Sequence, residues 1–146
     1  MIEASRKRPK RLWVAAIINI LVALLSLALL AFLFTSARVP EALLPGATAS
    51  AVAACTAGFL IVASVLALLG KPYGRYLMLA AAIVFYGILI VQNVGAIAGA
   101  QAGLGQSAAA KLAANTVRAS LELLINLWAL LSLKTRQYFG GAAVAP

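Results

Sequence analysis

Four apolar runs, each about as long as a bilayer is thick and parted only by short joints, constrain this chain more than any other feature. They cover residues 12–34, 47–69, 76–98 and 112–133. A hydrocarbon slab about 30 Å thick needs roughly 20 apolar residues per helical span, at about 1.5 Å of rise each. Continuous runs argue against a membrane barrel, whose strands alternate over about ten residues. A soluble domain is excluded by composition: 64% of the 146 residues are hydrophobic and 10% charged, more apolar surface than a soluble core of this size can hide. The joints carry turn chemistry. Residues 35–46 hold two prolines and a glycine, residues 70–75 read GKPYGR, and residues 99–111 are rich in Gly and Ala. The sequence therefore predicts an all-α membrane protein of four antiparallel transmembrane helices. A basic tail (1–11), a bundle (12–134) and a short C-terminal tail (135–146) make up the chain.

Basic residues flanking the spans set orientation, because Lys and Arg stay on the cytoplasmic side. Arg6, Lys7, Arg8, Lys10 and Arg11 precede the first run, Lys71 and Arg75 lie in the second joint, and Lys134 and Arg136 follow the fourth. Only Arg38, Lys111 and Arg118 fall toward the other side. Both termini are expected in the cytoplasm, with residues 35–46 and 99–111 outside. Trp13, Tyr73, Tyr76 and Tyr138 then sit at the cytoplasmic interface, where amphipathic rings partition. The first run is too long for a signal peptide, whose apolar core spans about 7 to 15 residues, so it is read as a retained helix. The net charge of +9 comes largely from these flanks. Arg6, Lys7, Arg8, Lys10 and Arg11 are read as lipid-headgroup contacts rather than as a nucleic-acid site, since no nucleic-acid-binding module accompanies them.

Catalysis finds little to work with. The chain has no histidine, one cysteine, and acids only at Glu3, Glu41 and Glu122. No nucleophile–base pair, metal-ligand spacing or phosphate loop can be assembled from them. Neither an enzyme nor a metal or cofactor is expected.

Polarity inside the spans is more informative. Lys111, Asn115, Arg118, Glu122 and Asn126 fall on one stripe of the fourth helix at about 100° per residue. Counted from Lys134, Asn126 lies about 12 Å inward, Glu122 about 18 Å and Arg118 about 24 Å. An ionisable group at that depth costs about 2.5 to 3.5 kcal/mol on insertion scales unless compensated. The same counting brings Asn19 and Ser64 near Asn126, Tyr86 near Glu122, and Gln92 and Asn93 near Arg118. Asn19, Ser64, Tyr86, Gln92, Asn93, Arg118, Glu122 and Asn126 thus form a candidate polar seam. Bundle glue and a functional site both fit it.

Small residues recur at helical spacing. Ala47, Ala51 and Cys55 form one series on the second run, Ser50, Ala54 and Gly58 another, and Gly95, Gly99 and Gly103 continue the third. Such ladders let helices approach closely. Ala51, Cys55, Gly58, Gly95 and Gly99 are therefore candidate helix contacts, toward a second copy or a foreign transmembrane helix.

The junctions RPKRLW, GKPYGRY and LLSLKTRQYF resemble those of uncharacterised small bacterial inner-membrane proteins with four spans, and the layout is similar to that of polytopic immunity proteins. This resemblance implies a multi-pass protein of the bacterial inner membrane that binds a partner within the bilayer without catalysis, in an immunity, assembly or regulatory role. Small multidrug transporters share the layout but carry a glutamate in the first span, where this chain has Asn19. The alternative kept open is a small homo-oligomeric transporter or channel using Glu122.

Overall fold

The structure is a computed structural model that describes residues 9–36, 45–99, 106–133, 135 and 139. It is built of four helices: α1 (Lys10–Thr35), α2 (Ala47–Leu68), α3 (Gly74–Gly99) and α4 (Gln106–Leu131). No strand occurs among the described residues. Helix α4 begins at Gln106, well before the apolar run at 112, because QSAAAK combines good helix formers with little hydropathy.

Among the described residues, α1, α2 and α3 are long and apolar enough to cross a membrane, and α4 falls short. The fourth run thus differs in character from the first three. Lys111, Asn115, Arg118, Glu122 and Asn126 dilute α4 until it reads as amphipathic rather than uniformly apolar.

The side chains are distributed inside out relative to a water-soluble bundle. Most of the buried apolar positions are alanines, among them Ala15, Ala16, Ala23, Ala57, Ala63, Ala67, Ala81, Ala82 and Ala129, whereas Leu21, Phe32, Val62, Val91 and Leu124 lie exposed. In lipid there is no hydrophobic drive between helices, so close van der Waals packing of small residues holds them instead. The outer face of α4 follows the same rule. Val117, Leu121, Leu124, Trp128 and Leu131 are all exposed, and their spacing of four, three, four and three residues draws one apolar stripe along the helix.

Consecutive helices pack along much of their length, while α1 and α4 touch far less. The closest joint is that between α2 and α3. Gly70 adopts φ 72°, the left-handed value glycine takes without penalty. Its N–H donates to the carbonyl of Ala67 (3.1 Å), and the N–H of Lys71 donates to that of Leu66 (3.2 Å), completing a Schellman stop. At Gly74 a Cβ would stand 2.7 Å from the Leu66 carbonyl oxygen. Only glycine lets the first turn of α3 press so closely on the end of α2.

Candidate functional site

On α1 the buried residues are Leu12, Ala15, Ala16, Asn19 and Ala23, one face at three- and four-residue spacing. The flanking alanines let neighbouring helices come near enough for the Asn19 side chain to reach α4. Asn126 is likewise fully buried, beside Ala129 and Leu130 in sequence. The two amides pair reciprocally: Asn19 Nδ2 donates to Asn126 Oδ1 at 2.7 Å, and Asn126 Nδ2 donates to Asn19 Oδ1 at 2.9 Å. The second Asn126 Nδ2 hydrogen goes to the Glu122 backbone carbonyl at 2.8 Å. Tyr86 of α3 donates its hydroxyl to Asn19 Oδ1 at 3.0 Å, so both acceptor sites of that oxygen are used. The Tyr86 ring is held edge-on by Phe85, with centroids 5.2 Å apart and planes at 86°. Three helices are joined by one small polar cluster. In membranes each such contact is worth about 0.5 to 2 kcal/mol.

One turn earlier on α4 the chemistry changes. Arg118 Nε donates to Glu122 Oε1 at 2.8 Å, with 58% of the Arg118 side chain and 15% of the Glu122 side chain exposed. This pair borders a half-open cavity of about 220 Å³. Val22, Leu25, Ser26 and Leu29 of α1 form its apolar wall, Leu89 and Asn93 of α3 its floor, and Asn115, Arg118, Ala119 and Glu122 of α4 its polar wall. The cavity exists because α1 and α4 meet at Asn19–Asn126 but make few contacts elsewhere.

The eight seam residues are therefore not one seam. Asn19, Tyr86 and Asn126 are brought together; Asn93, Arg118 and Glu122 share the cavity. Tyr86 bonds to Asn19 rather than joining the layer assigned to Glu122. Ser64 is buried, but its Oγ has no hydrogen-bond partner, so it takes no part in the amide cluster. Gln92 is exposed and lines separate grooves beside Phe85, Ile88 and Val91.

The small-residue positions also fall outside the close contacts. Ala51 and Cys55 are exposed, and a Cβ at Gly58, Gly95 or Gly99 would meet nothing within 4 Å. The buried face of α2 is instead Ala57, Leu60, Ala63, Ser64 and Ala67. Alanine is so frequent here that several small-residue ladders coexist, and spacing alone does not choose between them. Gly103 lies outside the described residues, as do Arg6, Lys7, Arg8, Arg38, Lys134, Arg136 and Tyr138. Lys10 and Arg11 are exposed at the start of α1.

Three features escaped sequence reasoning. Arg11 stacks its guanidinium over Trp128, 4.1 Å from the ring centroid, clasping the start of α1 to α4. Thr135, fully buried, donates its hydroxyl to the Ala129 carbonyl at 2.7 Å. Arg75, counted only as a topological flank, is 8% exposed. The first had a signal in a basic residue and a tryptophan near helix ends; the others had none.

No family model, curated protein or solved structure matches the chain. What fold and side-chain distribution define is a class: an all-helical membrane protein with three helices long and apolar enough to span.

Proposed function

We propose that this chain is a non-catalytic, multi-pass protein of the bacterial inner membrane that binds another transmembrane protein inside the bilayer, in an immunity, assembly or regulatory role. The observation that carries this reading is the Arg118–Glu122 pair on the half-open cavity between α1 and α4. Hydrocarbon tails cannot hydrogen-bond to that pair, and intramembrane ionisable groups are costly unless partnered. A transmembrane helix presenting a hydroxyl, amide or charged side chain at that depth satisfies the pair and fills the apolar wall of α1.

The reading includes α4 as a fourth, amphipathic span. Its exposed stripe of Val117, Leu121, Leu124, Trp128 and Leu131 suits lipid, and its polar stripe turns toward the cavity and the buried amides. The four helices then alternate direction, with both termini in the cytoplasm, as the basic flanks favour. The outward small residues Ala51, Cys55 and Gly58 of α2 offer a second surface for self-association or a partner helix.

The test is crosslinking in native membranes from a cysteine at position 29, in a Cys55→Ser background, toward membrane proteins encoded beside this one. A specific crosslink is expected, lost when Leu25→Trp fills the cavity. Retention of the same crosslink in Leu25→Trp and Gly58→Leu alike would overturn the reading.

The cavity also supports the transporter alternative, since about 220 Å³ has room for several waters at roughly 30 Å³ each beside the Glu122 carboxylate. In that case Glu122→Gln abolishes proton-coupled flux in proteoliposomes. On the binding reading no such flux exists to abolish.

A further inference from the structure

Arg75 differs from the other described arginines. Arg118 holds Glu122 and Arg11 lies over Trp128, and both are exposed. Arg75 is 8% exposed and its Nε has no hydrogen-bond partner. A buried guanidinium N–H left without an acceptor is unfavourable. The chain has only three acids, and the one among the described residues, Glu122, is committed to Arg118. Among the described residues no acid is placed to neutralise Arg75.

The surroundings state what kind of anion fits. Arg75 is the second residue of α3. Among the described residues, neither its own N–H nor that of Tyr76 finds an acceptor, whereas Gly74 and Leu77 donate to the carbonyls of Lys71 and Tyr73. Free amides at the positive end of a 26-residue helix favour a phosphate. Helical side chains lean toward the N-terminus, which carries the guanidinium to the same end as these amides. Its Cζ lies 5.3 Å from the Tyr76 ring centroid, and that ring is 65% exposed. The tip of Arg75 therefore reaches the surface although its stem and Nε do not. This turn joins two helices apolar enough to span, which sets it at the level of lipid headgroups.

We propose that Arg75, with the free amides of the first turn of α3, binds a phosphate group, supplied by an anionic phospholipid headgroup. A guanidinium grips phosphate with two parallel N–H donors, which a lysine cannot reproduce. The gap before α3 is thereby a lipid site as well as a turn.

The full chain in mild detergent tests this, with phosphatidylglycerol, diacylglycerol and inorganic phosphate as probes, read by native mass spectrometry and thermal stability. Wild type is expected to retain phosphatidylglycerol about tenfold more tightly than Arg75→Gln, with Arg75→Lys between them and Lys111→Gln, an exposed control on α4, unchanged. If inorganic phosphate protects as well as the lipid and displaces it, the phosphate site stands and its source is soluble. Equal retention by wild type and Arg75→Gln overturns the proposal. Should Arg75→Gln not fold, wild type decides alone: equal protection by diacylglycerol, which has the tails but no phosphate, overturns it.

Discussion

Two polar sites lie one helical turn apart on α4 and are finished to different degrees. Around Asn126 nearly every donor and acceptor is used. Asn19 and Asn126 exchange amide bonds, Tyr86 occupies the last acceptor site on Asn19, and α4's own backbone takes the remaining Asn126 hydrogen. Around Glu122 one bond is made, to Arg118, and a cavity stands open beside it. The difference teaches that polarity in a membrane-buried face is not of one kind. A closed cluster has little capacity left for a ligand and acts on the fold, whereas an open one retains capacity for further hydrogen bonds.

The largest break in that comparison is expected from Asn126→Leu. It leaves the Asn19 amide short of both bonds to Asn126 in a sealed site, at about 1 to 3 kcal/mol for an unsatisfied buried group, measurable as a shift in unfolding by SDS titration in bicelles. A sharper test is the triple variant Asn19→Leu, Tyr86→Phe and Asn126→Leu, which removes every member of the cluster and orphans none. Removing all partners together is close to neutral in principle, so the triple variant should be more stable than Asn126→Leu alone, and strict additivity would show that the three groups are not coupled. Tyr86→Phe removes one bond to an oxygen that keeps another donor, so the same titration should register about 0.6 kcal/mol. The smallest effect on stability is expected from Glu122→Gln, within about 0.5 kcal/mol because the amide still accepts from Arg118, while the crosslink from position 29 weakens. A Glu122→Gln protein as unstable as Asn126→Leu would erase the distinction between the two sites.

Much of this architecture is legible in the sequence because hydropathy reports where a helix meets lipid. Residues 12–34, 47–69 and 76–98 lie within a residue or two of α1, α2 and α3. Hydropathy does not report helicity, so the polar, helix-forming start of α4 reads as a joint. Depth counting set Asn19 and Asn126 at one level, since rise per residue is fixed, and their side chains meet. It sets Tyr86 level with Glu122, and the Tyr86 hydroxyl bonds to Asn19, whose partner Asn126 donates to the Glu122 carbonyl. Rotation about each helix axis cannot be counted from rise, so Ser64 and Gln92 were grouped with residues they do not touch. Spacing likewise does not choose which small-residue face of α2 packs within the bundle: Ala57, Ala63 and Ala67 are buried there, while Ala51 and Cys55 face outward.

The Asn19–Asn126 bond spans 107 positions of sequence, and this separation has a meaning during synthesis. At roughly 5 to 20 residues per second, Asn19 enters the bilayer many seconds before its partner exists. Tyr86 can reach Asn19 once α3 is made, but until α4 follows the amide of α1 stays incompletely paired, a mark of an unfinished molecule. The pairing of the first helix with the last therefore dates the protein: it conceals the mark only when the whole bundle has been made.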